Sequence, residues 1–343
     1  MRLSVALLGC GNVGAALLTL LTDKADALRT EHDIEIVFTG GYTRRGGGWL
    51  VQPGIGAATV ATAGWPHGDI PAGAIPYAGE SVAFARACPA DVLVELTTLE
   101  PQTAQPALDH VRAALTSGKH VATANKGPIA HAYRELRDLA TARHRQVRFE
   151  STVMDGTPIF NMVEAALPVT RLIALRGVLN STSNYILGRM VAGDALEAAL
   201  AEAQRTGIAE ANPDNDLEGW DASVKAAVLA NALMGADLRP QQVHREGLGA
   251  EAMRSAVAAL TPGHGLKQVV DVTREGAAVV ASVRLAELPP SDPLGHLGAG
   301  ETSLRLSTDT MGDLSIIEGD GGPWQTAHGV MADLVTIRHS LNR

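Results

Sequence analysis

The run Gly9-Cys10-Gly11-Asn12-Val13-Gly14 sits between an apolar stretch, Leu3 to Leu8, and a segment of helical periodicity, Val13 to Leu28. Few folds tolerate that arrangement. Glycines at the first, third and sixth places allow a tight turn, close approach of backbone N–H groups to a pyrophosphate, and close packing of helix on strand. The expectation is a strand-turn-helix unit opening a parallel sheet that binds a dinucleotide at Gly9, Gly11, Asn12, Val13 and Gly14. An Ala/Gly-rich packing turn is the plainer alternative. Arg2 followed by Val5 to Leu21, with Ala25-Asp26-Ala27 behind it, also imitates a secretory signal, but a secretory segment gains nothing from three glycines.

The rest of the first half repeats the alternation of strand and helix. A second strand is expected at Ile34 to Phe38, ending at Thr39-Gly40-Gly41, and further strands at Asp91 to Leu96, His120 to Thr123 and Gln146 to Glu150. Helices are expected at Ser81 to Ala87 and Pro106 to Ser117, and the Gly-rich region Gly40 to Gly79 reads as irregular. Such alternation predicts an α/β fold of Rossmann type with a doubly wound parallel sheet. The character changes near Ser151, so the expected domains are 1–150, completed by a C-terminal helix at about 319–343, and 151–318. In the second domain, a helix capped by Asp194 with Glu197 three residues later should stop at Gly207, and another should run from Asp221 to Met234. Beyond Gly265 the segments Val269 to Thr273, Ala277 to Leu285, Thr302 to Thr308 and Leu314 to Ile317 alternate as an antiparallel sheet. The second domain is therefore expected to be α+β.

Composition narrows the function. The formal charge of -9 would repel phosphate backbones, so nucleic acid is excluded as a main partner. With 3% aromatic residues, cores are expected from Ala, Val, Leu and Ile, and base-stacking platforms are not. No segment other than the N-terminal one is apolar enough for a membrane. Cys10 and Cys88 are too few for a disulfide framework and fit a reducing cytoplasm.

Several polar positions fall at expected strand ends, the edge where parallel sheets bind ligands. Arg44 and Arg45 follow the second strand, where an acidic residue would mark NAD; two arginines suit the 2′-phosphate of NADP, or else a solvated turn. Thr97 and Thr98 follow one strand, and Asn125 and Lys126 another, although Asn125-Lys126-Gly127-Pro128 also reads as an exposed turn. The segment 207–221 gathers Glu210, Asp214, Asp216, Glu218 and Asp221 ahead of Lys225. It imitates a calcium loop, but Lys225 stands where that loop needs a bidentate Glu. Asp221 and Lys225 at i and i+4 make a surface ion pair the modest alternative. Converging carboxylates with one lysine can instead hold an ammonium group while the lysine exchanges a proton with a hydroxyl or carbonyl oxygen.

Taken in order, Ala124-Asn125-Lys126, the segment Gly177-Val178-Leu179-Asn180-Ser181-Thr182-Ser183-Asn184-Tyr185-Ile186-Leu187, and the acidic loop leading to Asp221-Ala222 and Lys225 resemble homoserine dehydrogenase across nearly the whole chain. The resemblance implies interconversion of L-homoserine and L-aspartate 4-semialdehyde with NAD(P), in threonine and methionine biosynthesis, by a homodimer formed through the second domain. It implies a short form without a C-terminal regulatory ACT domain. It makes Lys225 and Lys126 catalytic, has Glu210, Asp216, Asp221 and Thr182 bind substrate, and adds Gly322 to the cofactor contacts. It also matches Glu150, Val153, Asp155 and Thr157 to a segment whose backbone carbonyls hold a monovalent cation such as sodium, a segment that reads equally as a plain interdomain loop. Ser181, Ile208 and Asn212 depart from the family pattern, where Gly, Tyr and Asp are common. Two rival readings remain: an acylating semialdehyde dehydrogenase, which needs a nucleophilic cysteine, and a nucleotide-sensing protein without catalysis.

Overall fold

The computed structural model describes residues 1–209, 212–246, 248–319 and 321–341. The chain divides into two compact units, one of Met1–Phe160 with Gly322–Arg343 and the other of Asn161–Gly321. The division falls at Phe160, later than the change of character near Ser151. The cause is local packing: a Cβ on Gly156 would lie 2.8 Å from the Gly329 nitrogen, so the loop after Glu150 is seated on the C-terminal helix Pro323–Ser340.

The first unit holds strands β1 (Arg2–Leu8), β2 (Glu35–Thr43), β3 (Gly47–Ile55), β4 (Ile75–Tyr77), β5 (Val92–Glu95), β6 (His120–Thr123) and β7 (Val147–Arg148). They form one sheet in the order β4-β3-β2-β1-β5-β6-β7. Strands β2, β1, β5, β6 and β7 are parallel, as expected, while β3 and β4 add an antiparallel edge. Leu3, Val5 and Leu7 of β1 are fully buried, packed in one cluster with Leu17 and Leu21 of helix Asn12–Asp23 and with Leu334 and Ile337 of the C-terminal helix. Burying each such side chain stabilises by roughly 1.5–3 kcal/mol, so the last helix is integral to this sheet.

The region expected to be irregular is where sequence reading failed most. It contains β3, β4 and the helix Ala57–Thr62, and β2 runs on past Gly41 to Thr43. Gly40, Gly41, Gly47, Gly48 and Gly54 lie inside strands, and at Gly40 and Gly41 neighbours leave no room for a side chain. A Cβ on Gly40 would lie 2.7 Å from Cys88 Sγ, and one on Gly41 would lie 2.8 Å from Trp49 Nε1. Alternation is hidden there, since the positions that would display it carry no side chain. The scarce aromatics concentrate at the same edge: buried Trp49 meets Trp65 edge-on, and Tyr42 packs on Phe84. The helix expected as one piece breaks at Lys24 (φ −98°, ψ 5°) and resumes as Ala25–His32.

The second unit has a sheet ordered β13-β12-β8-β10-β11-β9. Its strands are β8 (Leu172–Val178), β9 (His244–Glu246), β10 (Gly265–Glu275), β11 (Ala278–Leu288), β12 (Thr302–Thr308) and β13 (Gly312–Glu318). All pairings are antiparallel except β9 with β11. Helices Ser181–Val191, Leu196–Arg205 and Trp220–Met234 accompany it. The Asp194 cap is not formed: Ala195 is the N-cap, and Asp194 Oδ2 accepts from Arg189 Nε at 2.5 Å. A charge-assisted bond to a guanidinium displaces the weaker cap. The ends at Gly207 and Gly235 hold, both glycines having left-handed φ of 78° and 68°.

Candidate active site

At the edge of the first sheet, Gly9 has φ of 90°, and a Cβ there would lie 2.6 Å from the Leu96 carbonyl carbon. Only glycine lets the chain leave β1 this close to the end of β5. Gly11 is the N-cap of helix Asn12–Asp23, and a Cβ there would meet no atom within 4 Å. The first turn of that helix carries no acidic residue and no side-chain cap bond. The helix start therefore has open space beside Gly11 and no acidic side chain in its own first turn, which suits a pyrophosphate. Gly14 packs 3.2 Å from the Gly9 carbonyl by the same measure, so the helix sits close on its strand. The turn thus provides the backbone surface that a dinucleotide requires.

Arg44 and Arg45 occupy the exposed turn that joins β2 to β3, beyond the C-terminal end of β2. Neither has an ion-pair partner among the described residues. Asn125 is no exposed turn residue. It is buried and caps helix Lys126–Ala142, its Oδ1 accepting from Gly127 N at 3.0 Å while its Nδ2 donates to the Thr97 carbonyl at 3.0 Å. Asn125 therefore joins the loop after β5 to the helix that starts at Lys126, which has an electrostatic or hydrogen-bond partner of its own. Sequence reading missed what lies beneath. Glu95, fully buried, accepts from Thr97 N at 3.2 Å and from the Thr97 hydroxyl, and His110 Nδ1 lies 3.3 Å from the same carboxylate. His110 Nε2 is in turn 2.8 Å from Ser81 Oγ. A buried carboxylate is stable only with such donors around it, and here they set the position of Thr97.

In the second unit, Lys225 projects from helix Trp220–Met234, which begins at Gly219 (φ 73°). Its Nζ donates to the Leu179 carbonyl at 2.5 Å and lies 3.3 Å from Asp221 Oδ2. The Lys225 and Asp221 side chains are each 14% exposed, so this is no solvated surface pair. Asn180 Nδ2 donates to Asp216 Oδ1 at 2.7 Å and to Asp221 Oδ2 at 3.0 Å, drawing the two carboxylates together. Gln268 of β10 donates to the Asp216 carbonyl at 3.0 Å. Thr182 donates its hydroxyl to the Ile208 carbonyl at 3.0 Å, tying its helix to the segment that leads into the acidic loop. Glu210 lies outside the described residues. Asn180 and Gln268 were readable as polar residues at a strand end and inside an apolar strand, but nothing in sequence named their partners.

Glu150, Val153, Asp155 and Thr157 lie in and after a 3-10 turn, Glu150–Thr152. Glu150 N donates to Asp333 Oδ2 at 3.0 Å, Phe160 N donates to Glu150 Oε1 at 2.8 Å, and Asp155 Oδ1 accepts from Thr326 Oγ1 at 3.0 Å. Gly322 is the N-cap of the last helix. Both cysteines are buried, and burial pushes each thiol up to about 11. Neither supplies a thiolate near neutrality, which removes the acylating dehydrogenase reading.

A glycine-turned parallel sheet and a separate half-buried lysine–carboxylate cluster fit an NAD(P)-dependent oxidoreductase. The family profile described as "Homoserine dehydrogenase" matches residues 158–335, and "Homoserine dehydrogenase, NAD binding domain" matches residues 68–150. The chain belongs to the homoserine dehydrogenase family. It is 30% identical to the NAD(+)-dependent homoserine dehydrogenase of Pseudomonas canavaninivorans over 99% of this chain and 97% of that protein. It is 31% identical to the homoserine dehydrogenase of Sulfurisphaera tokodaii over 98% and 99%. Among solved structures, a putative homoserine dehydrogenase from Archaeoglobus fulgidus superposes with a TM-score of 0.82 at 26% identity, covering 98% of this chain and 99% of that one. A hyperthermophilic archaeal homoserine dehydrogenase in complex with NADPH gives 0.82 at 25% identity, with 99% and 98% covered.

Proposed function

We propose that Lys225 exchanges the proton at the substrate oxygen in the homoserine dehydrogenase reaction, with Lys126 assisting electrostatically. The carrying observation is the Lys225 ammonium held between the Leu179 carbonyl and Asp221 in a half-buried cluster. When bound, the nicotinamide takes or gives the hydride. As the carbinol carbon of homoserine loses hydride, its hydroxyl must lose a proton, and as the aldehyde is reduced its oxygen must gain one. Lys225 serves that oxygen in both directions. Asp216 and Asp221, with Glu210, hold the substrate ammonium, and Thr182 secures the segment before Glu210. Lys126 adds positive charge at the start of its helix, where an oxyanion in formation is stabilised. A nucleotide sensor would have no use for this cluster.

The cofactor is held at Gly9, Gly11, Asn12, Val13, Gly14, Thr97, Thr98, Asn125, Lys126 and Gly322. Arg44 and Arg45 favour the 2′-phosphate and hence NADP, with NAD accepted less well. The carbonyls of Glu150, Val153, Asp155 and Thr157 suit a hard monovalent cation, sodium, whose charge would stiffen that loop. The active form is a homodimer built on the second unit and works in the cytoplasm, a reading that two thiols left free support. The deciding experiment is the absorbance change on mixing pure protein with homoserine and NADP or NAD, in sodium or choline chloride. Turnover confined to other alcohols overturns the reading.

A further inference from the structure

Resting on the reading that Lys225 and the two aspartates serve homoserine, we propose that Asn180 is the positioning residue that sets the geometry of that cluster. Its side chain has one acceptor and two donor hydrogens, and all are engaged. Oδ1 accepts from Ser183 N at 2.7 Å, capping helix Ser181–Val191, while Nδ2 donates to Asp216 Oδ1 and Asp221 Oδ2. Asp, Ser and Thr can cap a helix, but none can donate twice from the same position. The neighbouring residue completes the arrangement, since Leu179 provides the carbonyl that receives Lys225 Nζ.

One dipeptide, between the end of β8 and the start of a helix, thus fixes both the lysine and the carboxylates. Asn180 is 4% exposed, and its own carbonyl accepts from Ser183 Oγ at 3.1 Å, so it has little freedom to relax. Asp216 is also secured from the other side, where Gln268 holds its main chain. Two like charges held close repel each other, and an amide donating to both is what keeps them at one spacing. That spacing is the feature a substrate ammonium reads.

The test separates this clamp from the cap. Asn180→Ser and Asn180→Thr both retain a capping oxygen and can donate at most once, without adding a third carboxylate to the cluster. The expected result is a homoserine KM raised about 10-fold or more, as for loss of a charge-assisted bond. The cofactor KM should stay within about twofold and the thermal midpoint should be essentially unmoved. A double-mutant cycle pairing Asn180→Ser with Asp216→Asn should be strongly non-additive in kcat/KM for homoserine. The proposal is overturned by an unchanged homoserine KM, by a cofactor KM rising in parallel, by an additive cycle, or by activity lost only in step with stability. Any of these leaves the parent reading standing so long as the wild-type enzyme oxidises homoserine and Lys225→Ala does not.

Discussion

The cofactor edge of the first unit and the lysine cluster of the second reach function by opposite means. At Gly9, Gly11 and Gly14 side chains are missing, which leaves the backbone open to a ligand, and the positions lie close together in the chain. Around Lys225 the working groups are mostly side chains: the lysine meets the Leu179 carbonyl and Asp221, and Asn180, far earlier in the chain than either aspartate, joins Asp221 to Asp216. The first device tolerates change anywhere but at the turn itself. The second depends on every residue that aims a donor into it, including ones that never touch substrate. Perturbations should therefore act differently in the two regions.

The largest effect is expected from Lys225→Ala, which removes the proposed proton carrier while leaving the glycine turn untouched. Turnover should fall about 10²- to 10⁴-fold, with cofactor affinity, followed by nicotinamide fluorescence, nearly unchanged. Near-normal turnover with only weaker homoserine binding would make Lys225 a binding residue and erase the contrast. Next, Arg44→Ala and Arg45→Ala should each lower the NADP-to-NAD preference, since a charge-assisted contact is worth about 1.5–3 kcal/mol. Homoserine KM should not follow. A double variant with the wild-type preference would show that the two guanidiniums are only solvated.

A smaller effect, confined to the first unit, concerns acid. Burial, aided by Arg145, lowers the buried His120 from 6.5 to about 4, and its Nδ1 accepts from Gln146 N at 3.1 Å. Because the folded state resists protonation while the unfolded chain accepts it, stability is full above pH 6.5 and declines as pH falls towards 4. The loss should amount to roughly 3 kcal/mol at most. Hydrogen exchange of β6 peptides across that range should show it, and His120→Gln should flatten the slope. An equal slope in the variant would assign the acid loss elsewhere. The smallest change in stability is expected of Gly11→Ala, where a methyl group meets open space: within about 0.5 kcal/mol. The same methyl group stands where the pyrophosphate should lie, so the cofactor Kd should rise. If calorimetry found both unaltered, the phosphate would bind elsewhere.

The sequence by itself determined the parallel sheet, the place of the glycine turn, the helix stops at Gly207 and Gly235, and the candidacy of Lys225. Each of these rests on local chemistry: a buried strand needs a continuous apolar run, a left-handed end needs glycine, and Asp221 and Lys225 share a helix face at four residues' spacing. It could not place β3, where Gly47, Gly48 and Gly54 carry no side chain to display the alternation by which a strand is read, nor β4, which is only three residues long. Nor could it place the Asp194 carboxylate, which prefers Arg189 to the helix end. Tertiary structure alone decided that Glu95 and His110 hold Thr97, and that Asn180 spans Asp216 and Asp221. The physical reason is that a buried polar atom must find a partner, while the chain does not record how far along that partner lies.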